Sequence, residues 1–157
     1  MELQQVTHID NVRLSDDGTR VVYIDQTQLP NRTIYKETNK AEELFRAIYE
    51  LQVRGAPCIG IFAAYALYVL ALQIPHEEFE PFYKELVRQR DYLNSSRPTA
   101  VNLSKMLDRM DACAKSHSGD SHAALLEAMR AEACAIHQED IDMCYAISSY
   151  GLSLVKD

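Results

Sequence analysis

The stretch of sequence that decides the fold is Arg54-Gly55-Ala56-Pro57-Cys58-Ile59-Gly60-Ile61-Phe62-Ala63-Ala64-Tyr65-Ala66-Leu67-Tyr68-Val69-Leu70-Ala71-Leu72-Gln73-Ile74. Residues 55–74 carry no charge over 20 positions, a length that can span a bilayer. Gly55, Pro57 and Gly60 weaken its first turns, however, and the flanking amphipathic segments have apolar faces that require a partner. We therefore predict a buried central helix over about residues 57–73, and no membrane span.

Helical periodicity appears on both sides of this segment. Before it, a helix is predicted from about residue 40, with Thr38 or Asn39 as the N-cap and apolar residues continuing to Leu51 or Gln52. After it, the spacing of apolar residues predicts helices over about 76–93, 98–116 and 121–155, the last as one long helix or two consecutive ones. Residues 116–120 form the clearest loop in this half of the chain.

The amino-terminal part follows a strand pattern instead. Val12 and Leu14, then the run 21–24, flank the turn-forming residues 15–19, which predicts a hairpin. Residues 32–38 are rich in β-branched and aromatic side chains and predict a third strand. The predicted fold class is α+β within one domain, residues 1–157: a small antiparallel sheet over about 9–38 and a mostly helical cluster over about 40–155.

Composition excludes several functional classes. The chain has 157 residues, 47% of them hydrophobic, which is enough to bury a core. Its formal net charge of -7 disfavours a nucleic-acid surface, since such a surface requires clustered basic residues. No secretory signal is visible at the amino terminus, so we expect a cytoplasmic protein with reduced cysteines.

The cysteines do not predict a metal site or a dithiol. Cys58, Cys113, Cys134 and Cys144 contain no Cys-x-x-Cys spacing. Cys134 and His137 can share a helix face, but two ligands do not close a metal site. Cys58 falls in the first turn of the predicted central helix, where we expect it to be packed.

Two short motifs point to an anion-binding function. Arg54-Gly55-Ala56-Pro57 and Ser96-Arg97-Pro98-Thr99 each place an arginine before a proline that is suited to the first turn of a helix. Unpaired N–H groups and the helix dipole favour a phosphate or carboxylate there, and a guanidinium adds matched donors. The hydroxyls of Ser96 and Thr99 are expected to cap the second helix or to contact sugar hydroxyls. Each motif is also compatible with a solvated arginine at an ordinary turn.

The same motifs carry a family resemblance. Residues 51–60, followed by the alanine-rich helix, and residues 94–103 closely resemble the amino-terminal part of the 5-methylthioribose-1-phosphate isomerase family. Residues 23–30 resemble the entry strand of the same family. The resemblance implies an aldose-ketose isomerase of methionine salvage with no metal or organic cofactor. It also implies a homodimer, formed through a Rossmann-like carboxyl-terminal domain that lies beyond this chain.

The resemblance transfers binding roles but no catalytic ones. It implies that Arg54, Gly55, Ala56 and Arg97 contact a phosphorylated sugar. The catalytic cysteine and aspartate of the family lie beyond Asp157, and no cysteine of this chain lies in the catalytic motif. We therefore expect the chain alone to be inactive and to function with the missing half, as a further domain or a separate chain.

Two alternatives remain at this point. Ribose-1,5-bisphosphate isomerase shares the Arg-Gly-Ala turn and the Arg-Pro-Thr-Ala segment, although Pro57, Gly60 and Asn102 look more like the methylthioribose enzyme. The regulatory subunits of translation initiation factor two B share this ancestry and act without catalysis, but they generally do not keep both motifs.

The last apolar residues, 150–155, are expected to pack against something.

Overall fold

The computed structural model describes residues 11–155, in which a three-stranded sheet precedes five α-helices. Strands β1 (Val12–Leu14), β2 (Val21–Ile24) and β3 (Tyr35–Thr38) pair antiparallel in the order β1-β2-β3. A 3₁₀ turn, Gln26–Gln28, follows β2. The helices are α1 (Ala41–Tyr49), α2 (Ala56–Ala71), α3 (Phe79–Ser95), α4 (Val101–Ser116) and α5 (His122–Ser153). The predicted α+β fold class is confirmed.

The hairpin forms as predicted, but the third strand is shorter than expected. The Asp17 side chain accepts hydrogen bonds from the Ser15 hydroxyl and the Thr19 N–H, which closes the turn between β1 and β2. β3 begins at Tyr35 and not at Arg32, because the turn at residues 29–31 leaves residues 32–34 outside the ladder. The predicted start of the first strand, near residue 9, lies outside the described residues.

Several predicted helix boundaries were wrong. α1 begins after Lys40, not after Thr38 or Asn39, and it ends before Leu51, whose φ of 59° is left-handed. α3 begins at Phe79 and α4 at Val101, each about three residues later than predicted, because the preceding residues form irregular or turn structure. α5 is one continuous helix, the first of the two predicted possibilities.

Helix α2 forms the centre of the molecule. Every residue from Ile59 to Ala71 is buried, as the prediction of a central helix requires. α2 contacts α1, α3, α4, α5 and the first two strands, and Phe62 meets the ring of Tyr23 edge-on at 5.2 Å. The absence of charge in this segment follows from burial on all sides, since each side chain of leucine size contributes about 1.5–3 kcal/mol when buried. Within residues 11–155, no helix is both long enough and apolar enough to cross a membrane.

Ion pairs and a hydrogen bond connect α4 with α3 and α5. Arg109 on α4 contacts Glu132 on α5 and forms a bidentate pair with Glu139 at 2.5 and 2.7 Å. Asp111 on α4 accepts a 2.8 Å hydrogen bond from the Tyr83 hydroxyl of α3. These contacts cross from helix to helix, so they fix the positions of α3 and α5 relative to α4.

The carboxyl-terminal part of α5 extends beyond the core. Ile136 is the last buried residue of the helix, and residues 142–155 are exposed throughout. Its large apolar side chains are 58–82% exposed: Met143, Tyr145, Ile147, Tyr150, Leu152 and Leu154. No residue between 11 and 155 covers the last residues that were predicted to pack.

Gly60 allows the closest approach between α2 and α4. A Cβ atom added there would lie 2.8 Å from Met106 Cγ and 3.1 Å from the backbone oxygen of Asn102. Both distances are shorter than normal packing allows, so the first turns of the two helices meet at a position where only glycine fits. Gly151 on α5 is a matched contrast, because a Cβ added there would meet nothing within 4 Å.

Gly60→Val is therefore expected to lower the free energy of unfolding by about 1–3 kcal/mol, because the added atoms force α2 and α4 apart. Gly151→Val is expected to change it by less than about 0.5 kcal/mol, as is usual for an exposed position. Urea unfolding followed by circular dichroism measures both values. Equal effects of the two substitutions would contradict the packing seen at Gly60.

Candidate functional site

The first motif forms a tight turn between α1 and α2. The Val53 N–H donates to the Ala47 oxygen at 3.1 Å, which folds the chain back over the end of α1. Gly55 has a φ of 97° and precedes α2 as its N-cap, a conformation that other residues adopt only with strain. Pro57 lies in the first turn of α2, as predicted.

The start of α2 is open to a ligand. Gly55 has no side chain with which to cap the helix, and Gly55, Ala56 and Pro57 are exposed. Within residues 11–155, the N–H groups of Gly55, Ala56 and Cys58 have no hydrogen-bond partner. Such groups, aligned with the positive end of the helix dipole, form an anion-binding surface.

Gln26 of the 3₁₀ turn holds Arg54 in place. The Arg54 guanidinium donates through Nη2 to the Gln26 carbonyl at 2.9 Å, and the Gln26 side-chain amide donates to the Arg54 carbonyl at 3.3 Å. The Gln26 N–H also donates to the Gln52 carbonyl at 2.9 Å. These bonds leave the remaining N–H groups of an exposed guanidinium available beside the start of α2.

A polar network next to the sheet stabilises the position of Gln26 and Gln52. Lys36 Nζ lies 2.8 Å from the buried carboxylate of Asp25 and 3.0 Å from Oε1 of Gln52, which also accepts from the Tyr23 hydroxyl at 3.0 Å. Burial raises the pKa of Tyr23 to about 12, so the hydroxyl remains a donor. Burial alone would raise the pKa of Asp25, but hydrogen bonds from Lys36 and Thr27 hold it below its usual value. The backbone on both sides of Gln26 is thus anchored.

The second motif differs from its prediction in two respects. Pro98 and Thr99 form a turn ahead of α4, which begins at Val101, so Pro98 does not open the helix. Ser96 is buried and donates to the Leu93 oxygen at 2.6 Å, and no side chain caps α4. The hydroxyl of Ser96 is therefore unavailable to a sugar.

Arg97 has an unusual environment for a cation. The residue is half-buried, yet within residues 11–155 its guanidinium has neither a carboxylate nor a hydrogen-bond partner. A guanidinium that is partly removed from water and lacks a counter-ion favours binding an anion.

The two motifs lie at neighbouring helix ends. A cleft of about 230 Å³ between α2, α4 and α5 is lined by Pro57, Asn102 and Lys105. Lys105 also lines the cleft at the start of α4 together with Pro98 and Thr99. Arg54, Gly55 and Ala56 are contiguous, and Arg97 begins the turn that contains Pro98 and Thr99. The residues that line these two clefts do not include Arg54 or Arg97.

Gln26 and Lys105 are additions that the two motifs did not indicate. Gln26 lies in residues 23–30, which were noted only for their resemblance, and no local pattern connects it with Arg54. Lys105 is one turn inside α4, where an isolated lysine is usually a solvated surface residue. Sequence alone gave no signal for either position.

A larger cleft lies on the other side of the start of α2. It has a volume of about 390 Å³ and is lined by Cys58, His137, Asp140 and Cys144, among others. The Tyr65 hydroxyl lies 3.0 Å from Nδ1 of His137. No group of three potential metal ligands comes together within residues 11–155.

Cys58 is packed, as predicted. It is half-buried, and Sγ lies 3.9 Å from the side-chain nitrogen of Gln26. Burial, with a smaller contribution from Asp140, raises the pKa of the Cys58 thiol to about 11. The helix dipole therefore does not produce a thiolate here at neutral pH.

Comparison with known proteins places this geometry in a family. A sequence model of the initiation factor 2 subunit family matches residues 52–157. The chain belongs to this family. One fold can carry several unrelated functions, so membership alone does not specify the ligand.

Two relatives in the initiation factor 2 subunit family are named as sugar-phosphate isomerases. Methylthioribose-1-phosphate isomerase of Symbiobacterium thermophilum is 46% identical over 148 residues, which are 94% of this chain and 41% of the relative. The 5-deoxyribose 1-phosphate isomerase of Clostridium botulinum strain Kyoto is 41% identical over 146 residues, which are 93% of this chain and 42% of the relative. This chain therefore spans less than half the length of these relatives.

Two solved structures share the fold. 5-Methylthioribose 1-phosphate isomerase of Pyrococcus horikoshii superposes with a TM-score of 0.89 at 28% identity, over 96% of this chain and 42% of that structure. The delta subunit of translation initiation factor eIF-2B from A. fulgidus superposes with a TM-score of 0.85 at 31% identity, over 96% of this chain and 43% of that structure. The fold is common to an enzyme and to a protein named as an initiation-factor subunit.

The thiol environments predict different rates of alkylation. At pH 8, iodoacetamide is expected to label the exposed Cys134 and Cys144 at least about tenfold faster than Cys58, whose raised pKa leaves little thiolate. Peptide mapping by mass spectrometry gives the three rates. In urea the rates are expected to converge, and a Cys58 that already reacts like the exposed thiols in the folded chain would contradict its packing.

Proposed function

We propose that this chain forms the sugar-phosphate-binding part of an aldose-ketose isomerase. The favoured reaction converts 5-methylthioribose 1-phosphate to 5-methylthioribulose 1-phosphate in methionine salvage. The names of the two isomerase relatives share a pentose 1-phosphate, 5-methylthio in one and 5-deoxy in the other. The proposed substrate therefore carries a phosphate at carbon 1, which is the main feature, and an apolar group at carbon 5.

The observation that carries the proposal is the pairing of the arginines. Within residues 11–155, seven arginines pair with carboxylates: Arg13, Arg20, Arg46, Arg88, Arg90, Arg109 and Arg130. Three arginines have no carboxylate partner in that range: Arg54 and Arg97 of the two motifs, and Arg32, which is exposed and precedes β3 and not a helix. Arg54 and Arg97 lie beside uncapped helix starts, so a phosphate supplies the charge that the chain itself does not provide.

The chemistry of the proposed substrate explains why rigid phosphate contacts are useful. A phosphate on the anomeric oxygen prevents the sugar ring from opening spontaneously, so the enzyme must assist ring opening and then move hydrogen between C1 and C2. Such a reaction requires an acid and a base positioned within about 3 Å of the reacting atoms. Arg54, Arg97 and the N–H groups at the start of α2 would hold the phosphate while those groups act.

The groups that transfer protons are placed outside this chain. We assign them to the cysteine and aspartate of the family, in the segment of the relatives that this chain does not cover. In the proposal, that segment also packs on the exposed end of α5 and forms the homodimer contact of a cytoplasmic enzyme. No metal or organic cofactor is part of the proposed reaction.

Two other functions have specific support. The superposition on the A. fulgidus subunit favours a regulatory role without catalysis. The Arg-Gly-Ala turn is also shared with ribose-1,5-bisphosphate isomerase, so it is equally compatible with ribose 1,5-bisphosphate as the substrate. In the sequence, Gly60 and Asn102 were among the residues that looked more like the methylthioribose enzyme. In the structure these two residues pack α2 against α4, so they give no direct information about the substrate. Substrate choice is therefore better tested directly.

The phosphate site predicts losses of binding on substitution. Arg54→Gln and Arg97→Gln are each expected to weaken binding of ribose 1-phosphate to this chain by about tenfold or more, because each removes a charge-assisted hydrogen bond. Arg88→Gln is the control, since Arg88 is exposed on α3 and pairs with Glu85. Titration followed by NMR measures the affinities. Wild-type binding that none of the three changes would contradict the assignment of the site.

A chimaera tests the isomerase function. Residues 1–157 are joined to the part of the Symbiobacterium relative that this chain does not cover, and conversion of 5-methylthioribose 1-phosphate to the ketose is assayed. We expect turnover by the chimaera, none by this chain alone, and a strong loss in Arg97→Gln. Turnover by the chain alone would contradict the placement of the acid and base elsewhere. A folded chimaera that binds the sugar phosphate without converting it would favour the regulatory function, and turnover of ribose 1,5-bisphosphate alone would favour that substrate.

A further inference from the structure

Gln26 fixes the orientation of one peptide group at the start of α2. Its side-chain amide donates to the Arg54 carbonyl at 3.3 Å. In a planar trans peptide the carbonyl and the following N–H point in opposite directions. A carbonyl held by Gln26 therefore turns the Gly55 N–H to the side away from Gln26.

The Arg54–Gly55 peptide requires such an anchor. Gly55 has a φ of 97°, in a region where glycine meets little steric resistance, so its own backbone does little to prevent the preceding peptide from rotating. A Cβ built on Gly55 would meet only the Cβ of Cys58, at 3.8 Å, so glycine is required here by its φ and not by a lack of space. Among residues 11–155, the hydrogen bond from the Gln26 side chain to the Arg54 carbonyl is the contact that favours one orientation of the Arg54–Gly55 peptide.

Four contacts from Gln26 reach the same turn. Besides the bond to the Arg54 carbonyl, its N–H donates to Gln52, its carbonyl accepts from the Arg54 guanidinium, and its side-chain nitrogen contacts Cys58 Sγ at 3.9 Å. One residue thus contacts the turn on both sides of Gly55. The 3₁₀ turn that carries Gln26 is itself capped by Asp25, which accepts from the Thr27 N–H at 3.0 Å.

We propose that Gln26 is a positioning residue that directs the Gly55 N–H towards a bound phosphate. The Gly55 and Ala56 N–H groups then act with the Arg54 guanidinium as one preorganised set of donors. Successive backbone N–H groups of this kind form an anion-binding concavity. This inference rests on the proposed sugar-phosphate function of the same turn.

The test uses Gln26→Met, which keeps an unbranched side chain of similar length and removes the amide donor. Gln28→Met is the matched control, because Gln28 lies in the same 3₁₀ turn and, among residues 11–155, its side chain donates only to Thr27. The probe is ribose 1-phosphate, titrated into the labelled chain while NMR follows the amide signals of Gly55 and Ala56. Gln26→Asn, with the amide one methylene shorter, is measured in parallel.

We expect Gln26→Met to weaken binding about tenfold and Gln28→Met to bind like the wild type. At saturation the downfield shift of the Gly55 amide proton is expected in the wild type and in the control, and to be lost in Gln26→Met, while the Ala56 shift persists. A purely structural role would change the two shifts together or neither. Gln26→Asn is expected to fall between the wild type and Gln26→Met.

Two results would overturn the inference, and they are distinguishable. If the wild type binds, Arg54→Gln weakens binding and Gln26→Met retains both the affinity and the Gly55 shift, then Gln26 does not position the peptide. If the wild type shows no shift at Gly55 or Ala56 at saturating ribose 1-phosphate, the proposed function fails, and the inference fails with it.

Discussion

The structure depends on the burial of helix α2 on every side. An uncharged helix cannot be left in water at low cost, so the remaining helices and the sheet must supply enough apolar surface to enclose it. The closest approach of α4 to α2 occurs at Gly60, where a larger side chain would collide with Asn102 and Met106. A helix held this tightly has a fixed amino terminus. The position of the candidate site is therefore a consequence of core packing, and the loops around it have little freedom to move it.

Core packing fixes where the turn lies, whereas polar contacts fix how its groups point. The sheet contributes to the site through Gln26, which follows β2, and through Lys36 on β3, which contacts both Asp25 and Gln52. Without these contacts, the small sheet would only cover one side of α2. Through the contacts of Gln26 and Lys36, the amino-terminal strands also hold the peptide groups around Gly55 in position.

The sequence predicted the features that depend on local pattern and missed those that depend on contacts between distant segments. The central helix, the hairpin and the α+β class followed from charge-free length, alternation and turn residues. The helix starts were misplaced by a few residues because turns such as Pro98-Thr99 use the same residues as a first helical turn. In the candidate site, the motifs identified Arg54, Gly55, Ala56 and Arg97. Gln26 was missed because its partners lie 28 residues away in sequence, and no periodicity encodes such a contact.

Charge gives the site its selectivity within an acidic chain. A formal net charge of -7 repels a phosphate at long range, so electrostatic steering does not favour binding. At physiological salt, however, interactions beyond about 8 Å are largely screened, and the groups nearest the ligand dominate. Most arginines are neutralised by carboxylates, such as Arg109 by Glu132 and Glu139, and contribute little field at the site. Within residues 11–155, Arg54, Arg97 and the exposed Arg32 are left without such partners, and of these Arg54 and Arg97 lie in the two motifs. If the proposed function holds, anion binding is therefore confined to the two motif turns, where Arg54 precedes the uncapped start of α2 and Arg97 precedes that of α4.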